Sequence, residues 1–105
     1  MKLTDEFEIS QWSYYQCMNG NNTEQMKRLI NDQRWCYYYC KDIEDNIKIK
    51  NKITSSCWSY FYCRFIHDDD KLWKNITDSL YANWYCIDVK DRPEVRKYIK
   101  DETNK

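Results

Sequence analysis

Residues 10–53 read SQWSYYQCMNGNNTEQMKRLINDQRWCYYYCKDIEDNIKIKNKI, and residues 56–99 align with this stretch without a gap at an offset of 46 positions. The aligned positions share residues such as Trp12 with Trp58, Cys17 with Cys63, Cys40 with Cys86, and Asp42 with Asp88. These matches fall on aromatic residues, cysteines and aspartates rather than on common residues. We therefore infer an internal repeat.

The length of 105 residues suits a single domain, 1–105. Repeat 1 covers about 5–53, repeat 2 about 54–101, and 102–105 is expected to be a frayed tail. An aromatic content of 17% argues against a disordered chain. Lys plus Arg and Asp plus Glu each number 17, so no net charge favours nucleic acid or an anionic membrane. We expect neither as a partner.

The fold class is predicted to be all-α. The sequence has a single Gly and a single Pro, so few residues are suited to the tight turns of β-hairpins. Apolar residues instead recur at helical spacing, in repeat 1 at Met26, Leu29, Ile30, Cys36, Tyr37, Cys40 and Ile43, and in repeat 2 at Leu72, Ile76, Leu80, Trp84 and Ile87. Each repeat is predicted to hold three helices, a long first, a long second and a short third, with the repeats related by a pseudo-twofold axis.

Capping residues place the helix ends. The first helix is expected to end near Met18-Asn19-Gly20, and Thr23 to cap the second. Asp68-Asp69-Asp70 is expected to open a helix of repeat 2. Asp91, followed by Pro93, is predicted to cap the third helix there, with Asp45 as its counterpart in repeat 1. A break between the repeats is expected at Thr54-Ser55-Ser56.

Six cysteines in a short chain indicate an oxidising compartment and three disulfides. The chain begins without a signal peptide, so we expect a mature secreted domain. The sequons at Asn21 and Asn75 fit secretion. Four of the cysteines match between the repeats, so we favour one bridge within each repeat and one between the two unmatched cysteines. The predicted pairs are Cys17–Cys40, Cys63–Cys86 and Cys36–Cys57.

Helix geometry leaves this pairing open. In a straight helical hairpin Cys40 would lie about 24 Å from the turn near Cys17, whereas a disulfide needs Cα atoms within about 7 Å. The pairing within each repeat therefore requires the second helix to bend at Asp32 and Asp78, which could cap a new helical segment. Without that bend the bridges would cross between the repeats, as Cys17–Cys86 with Cys40–Cys63 or as pairs of equivalent cysteines. A zinc site at Cys36, Cys40, Cys57 and Cys63 competes, but the residues between these cysteines include no Gly or Pro to turn the chain.

Each repeat carries a Cys…Tyr-Cys signature, at Cys17…Tyr39-Cys40 and at Cys63…Tyr85-Cys86. With two copies in a helical, secreted-looking chain, this resembles the bicycle proteins of gall-forming aphids, which are named for paired cysteine-tyrosine-cysteine motifs. Cys36 and Cys57 lie outside the motif. The resemblance implies a salivary effector that is delivered into plant tissue and alters host development, with no known catalytic activity.

The motif tyrosines Tyr39 and Tyr85 are expected to pack in the core with their hydroxyls satisfied locally. Trp12 and Trp58 are expected to be structural anchors at equivalent positions. The cluster His67-Asp68-Asp69-Asp70 has residue types that bind metal or act as a base. We interpret it as helix capping instead, because acidic residues before a helix are expected on that ground alone.

No catalytic motif, metal site or cofactor site is predicted, so the chain is expected not to be an enzyme. The leading hypothesis is a secreted scaffold that binds a host macromolecule through exposed aromatic residues, since Tyr and Trp dominate binding hot spots. The candidates for this surface are Tyr37, Tyr38, Trp73 and Trp84. The alternative is a disulfide-rich helical toxin or hormone-like ligand of a membrane receptor or channel.

Overall fold

The protein is all-helical, as predicted. The structure, a computed structural model, describes residues 5–100, and the expected frayed tail at 102–105 lies outside them. Within residues 5–100 the chain forms eight α-helices and no strand. The helices are α1 (Glu6–Met18), α2 (Glu24–Arg28), α3 (Gln33–Asp42), α4 (Ile47–Lys50), α5 (Ser56–Phe65), α6 (Asp70–Trp73), α7 (Ser79–Asp88) and α8 (Pro93–Arg96).

The chain divides into two compact units, Met1–Ile53 and Thr54–Lys105. Each unit alternates long and short helices. In unit 1, α1 contacts α2 and α3, and α3 contacts α4; in unit 2, α5 contacts α6 and α7, and α7 contacts α8. The pseudo-twofold relation between the repeats stays a prediction.

Each unit has four helices among the described residues rather than the three predicted for each repeat. The predicted long second helix is interrupted, because Asp32 and Asp78 each start a new helix. The Asp32 carboxylate accepts a hydrogen bond from Arg34 N at 3.0 Å, and the Asp78 carboxylate accepts one from Leu80 N at 2.9 Å. The bend that the sequence left open at these two aspartates is therefore present.

The helices recur every 23 positions, half the predicted spacing of 46. The long helices α3, α5 and α7 begin at residues 33, 56 and 79, and the short helices α4, α6 and α8 begin at residues 47, 70 and 93. The same spacing runs through Cys17, Cys40, Cys63 and Cys86, and through the buried Ile30, Ile53 and Ile76. A helix–loop–short helix segment is therefore the smallest recurring element.

Several predicted caps are confirmed. The Thr23 hydroxyl accepts from Met26 N at 3.2 Å, and the Asp69 carboxylate accepts from Lys71 N at 2.8 Å. Gly20 follows α1 with φ of +103°, a conformation that favours glycine. Ser55 caps α5, so the chain does break between the units.

The caps predicted at Asp45 and Asp91 are wrong by one position. Asn46 caps α4, and its side chain accepts from Lys48 N at 2.9 Å. Arg92 occupies the cap position of α8 without a side-chain capping bond. The Asp91 carboxylate instead pairs with Arg96 at 3.0 Å.

The predicted apolar face of repeat 2 is only partly buried. Leu72 and Ile76 are buried, whereas Leu80, Trp84 and Ile87 are exposed. The reason is that α6 and α7 are separate helices, so a periodicity carried through residue 78 no longer describes one face.

A serine in α1 and a serine in α5 each tie their helix to the segment before the next long helix; Ser10 is buried and Ser56 is partly buried. Ser10 Oγ accepts from Asn31 N and Asp32 N at 2.9 Å each and donates to Leu29 O at 3.4 Å. Ser56 Oγ makes the matching bonds with Thr77 N at 3.0 Å, Asp78 N at 3.1 Å and Asn75 O at 3.1 Å. These bonds fix where α3 and α7 begin.

Candidate functional site

The six cysteines are free thiols, so the predicted bridges Cys17–Cys40, Cys63–Cys86 and Cys36–Cys57 are not present. Three sulfurs instead face the carbonyl of the residue that caps the following short helix. Cys40 Sγ lies 3.9 Å from Asn46 O, Cys63 Sγ 3.9 Å from Asp69 O, and Cys86 Sγ 4.0 Å from Arg92 O. This recurrence gives the cysteines a packing role at the loop between two helices.

Burial makes most of these thiols poor nucleophiles. It raises the pKa values of the Cys36, Cys40 and Cys63 thiols to about 12. The thiolate is the reactive and metal-binding form, so thiols with these pKa values stay protonated at neutral pH. Among residues 5–100, no three His, Cys, Asp or Glu side chains are grouped so that they could hold a metal ion.

Tyr39 is fully buried, and its hydroxyl bonds within unit 1. It lies 2.7 Å from Glu44 Oε1 and 2.8 Å from Asn22 Oδ1. Hydrogen bonding from Tyr39, followed by that from Lys27, lowers the pKa of Glu44. Lys27 Nζ lies 3.2 Å from the same carboxylate, which joins α2 to the end of α3.

Tyr85 is the counterpart of Tyr39 in unit 2, and arginine takes part in its network. The Tyr85 hydroxyl lies 2.6 Å from Asp68 Oδ1 and accepts from Arg92 Nε at 2.6 Å. The Arg92 guanidinium also pairs with Asp68 at 2.8 Å and lies over the Trp73 ring at 4.7 Å. Trp73 is therefore buried in this network, not exposed as predicted.

The acidic cluster after His67 is used structurally. Asp69 caps α6, Asp68 binds Tyr85 and Arg92, and Asp70 accepts from Trp73 Nε1 at 3.1 Å. The imidazole of His67 lies 3.8 Å from the Asp69 carboxylate and is half exposed. Each carboxylate thus has a partner in the fold, which agrees with the capping interpretation at Asp69.

Four aromatic rings of unit 1 contact one another in a cluster that we call aromatic face 1. They are Tyr14, Tyr15, Trp35 and Tyr38. Tyr14 and Trp35 are buried, and Tyr15 is exposed. The Tyr14 hydroxyl donates to Asp42 Oδ2 at 2.7 Å, and burial together with this bond raises the pKa of Tyr14. The rings and Asp42 line a shallow depression that is open to solvent.

Unit 2 has a matching cluster at an offset of 46 positions, which we call aromatic face 2: Tyr60, Phe61, Tyr81 and Trp84. Its buried tyrosine Tyr60 donates to Asp88 Oδ2 at 2.7 Å, as Tyr14 does to Asp42. Trp84 is 38% exposed. Both faces therefore present aromatic rings beside a carboxylate that a tyrosine hydroxyl holds in place.

The predicted surface aromatics fall into two groups. Tyr38 and Trp84 lie in the aromatic faces, whereas Tyr37 and Trp73 are buried and have no place on the surface. Tyr37 lies on the buried face of α3, which consists of residues 35–37, 39 and 40. Trp12, expected to be an anchor, is 43% exposed, and Trp58 is partly buried.

Helix α7 carries an exposed apolar stripe, of which only Trp84 was predicted to lie at the surface. Leu80, Trp84 and Ile87 lie at i, i+4 and i+7, and Ile87 is 71% exposed. The matching positions of α3 are Arg34, Tyr38 and Lys41. Comparing the two repeats position by position would have shown this difference, since a basic face in one copy is apolar in the other.

Comparison of the chain with protein-family models, curated proteins and solved structures gave no match. The resemblance to the bicycle proteins is therefore carried by the residues quoted for it alone. No helix within residues 5–100 combines the length and the apolar character needed to cross a membrane.

Proposed function

We propose that this protein is a non-enzymatic scaffold that binds a partner protein through its aromatic faces. The observation that carries the proposal is aromatic face 2 with the adjoining α7 stripe, where Leu80, Trp84 and Ile87 leave a row of large apolar side chains in solvent. Contiguous exposed apolar surface with aromatic residues is typical of protein-binding sites.

The chemistry of the remaining groups supports binding rather than catalysis. The thiols of Cys36, Cys40 and Cys63 are protonated at neutral pH, and the carboxylates of Asp68, Asp69 and Asp70 serve the fold. The resemblance to the bicycle proteins extends the proposal, since it implies a secreted effector whose partner is a host plant macromolecule.

We further propose that the scaffold arose by repeated duplication of a segment of about 23 residues. The recurring helix starts and the four cysteines at this spacing support it. Such a history would leave the buried positions alike while the surface positions diverge, as α3 and α7 do.

The test is partner capture with matched variants. Extract from the host tissue is passed over the wild-type chain, over a Tyr15→Ser/Trp84→Ser variant that alters both faces, and over a Tyr98→Ser variant that removes an exposed ring elsewhere. We expect a partner that wild type and Tyr98→Ser retain and the double variant loses, by at least about tenfold in affinity for a hot-spot pair.

A captured protein is accepted as a partner if calorimetry shows that it binds the purified chain directly. Its affinities for the three chains must also fall in the same order as in the capture experiment. Equal binding by all three chains would overturn the proposal, because the aromatic faces would then make no contribution. Circular dichroism of each variant establishes that it is folded.

A further inference from the structure

An arginine of the chain itself lies beside the carboxylate of aromatic face 2. Arg64 Nη1 donates to the Tyr60 hydroxyl at 2.9 Å and lies 3.4 Å from Asp88 Oδ2. The guanidinium carbon also lies 4.9 Å from the centroid of the Phe65 ring. The Tyr60–Asp88 pair of unit 2 thus binds the guanidinium group of Arg64, a residue of α5 in the same unit.

Aromatic face 1 has the same acceptor, but the arginine is missing. The position that matches Arg64 at an offset of 46 holds Met18, which is 45% exposed. Lys41 Nζ lies 3.5 Å from Asp42 Oδ1, but this is an exposed pair between sequence neighbours, a kind that contributes little to binding energy. Asn19 stands where unit 2 has Phe65, so ring contacts in unit 1 would come from the depression itself.

We propose that aromatic face 1 binds the guanidinium group of an arginine side chain from a partner protein, with Asp42 as the ion-pair partner. This inference rests on the proposed function and names the partner's chemistry. A guanidinium fits because it stacks on aromatic rings and donates in a planar fork to a carboxylate. Tyr14 holds the Asp42 carboxylate beside the depression, and the rings of Tyr15 and Tyr38 line the same depression, where the flat face of the cation would lie.

The proposal can be tested with a small probe and reciprocal substitutions. Nα-acetyl-arginine methylamide is titrated into the 15N-labelled full chain, and the indole N–H signals of Trp35 and Trp84 report on faces 1 and 2. For wild type we expect saturable shifts of the Trp35 signal, with a dissociation constant of about 10 mM for a single side chain.

Met18→Arg would fill face 1 as Arg64 fills face 2, so binding at Trp35 should weaken at least about fivefold. Arg64→Met would vacate face 2, so saturable shifts should appear at Trp84 as well. The lysine analogue should bind at least about threefold more weakly than the arginine probe, because it lacks the planar fork.

Three outcomes would overturn the inference: unchanged binding by Met18→Arg, equal binding of the lysine analogue, or the same shifts with the uncharged norleucine analogue. No saturation by the arginine probe at 100 mM, about ten times the expected constant, would also overturn it. The proposed function has its own separate test: it fails if the Tyr15→Ser/Trp84→Ser variant keeps its partner.

Asp42→Asn, checked for folding by circular dichroism, should weaken binding of the arginine probe by the same factor as Met18→Arg.

Discussion

Ser10 and Ser13 lie one turn apart in α1 and are equally buried, yet their hydroxyls have different surroundings. Ser10 Oγ serves two backbone N–H groups ahead of α3, whereas Ser13 Oγ has no hydrogen-bond partner. Removing a hydroxyl that satisfies buried donors costs about 1–3 kcal/mol, while removing an unpartnered one costs little. The same residue type in the same helix therefore has two roles.

We expect Ser10→Ala to lower the free energy of unfolding by about 2 kcal/mol, because Asn31 N and Asp32 N lose their acceptor. Ser13→Ala should change it by less than about 0.5 kcal/mol or raise it. Urea unfolding followed by tryptophan fluorescence measures both. Equal losses in the two variants would show that the Ser10 bonds do not stabilise the start of α3.

One carboxylate in the loop between α3 and α4 contacts two helices of unit 1. Glu44 accepts from the Tyr39 hydroxyl of α3 and pairs with Lys27 of α2, and these contacts lower its pKa. A group whose pKa is lower in the folded state stabilises the fold above its unfolded pKa, and this contribution is lost as the pH falls through the folded value. In unit 2 the corresponding position is Lys90, and Arg92 supplies the charge to Tyr85.

We therefore expect part of the fall in the free energy of unfolding below about pH 4.5 to come from Glu44. Glu44→Gln should be less stable than wild type at pH 7 and should show a shallower decline between pH 5 and pH 3. Glu94→Gln removes the same charge from an exposed position in the first turn of α8 and serves as the matched charge control. Urea unfolding at a series of pH values measures this, and parallel curves for wild type and Glu44→Gln would contradict it.

Across the whole molecule the cysteines differ in burial. Cys17, Cys36, Cys40 and Cys63 are buried, while Cys57 and Cys86 are partly accessible. Buried thiols react when local opening exposes them, so labelling rates report on stability around each sulfur. With free thiols, hydrophobic packing and hydrogen bonds take the place of the covalent bridges predicted from the cysteine count.

We expect N-ethylmaleimide to modify two thiols of the native protein quickly, at Cys57 and Cys86, and the other four at least about a hundredfold more slowly. In urea without reductant all six should react. Intact mass measured over time gives the number of N-ethylmaleimide adducts. A Cys57→Ser/Cys86→Ser variant should lose the fast phase of labelling. A native mass lower by two hydrogens for each bridge, with fewer than six adducts in urea, would contradict the free-thiol state.

The amino-acid sequence by itself determined the helical class, the matching of its two halves and the caps at Thr23, Asp69 and Gly20. These features are local, because helical periodicity and capping act over a few neighbouring residues. The 23-residue spacing of Cys17, Cys40, Cys63 and Cys86 was also present in the sequence, but the stronger match at 46 positions concealed it.

The tertiary structure alone decided which aromatic residues reach the surface. The break at Asp78 separates α7 from α6, and Trp84 and Ile87 of α7 are exposed. Trp73 of α6 is buried beneath the Arg92 guanidinium, and Tyr37 is buried on α3. It also decided that Arg64 reaches Asp88, whereas the methionine at position 18, which matches Arg64, can be read from the sequence. Such contacts join side chains more than twenty residues apart, and only packing of the helices brings them together.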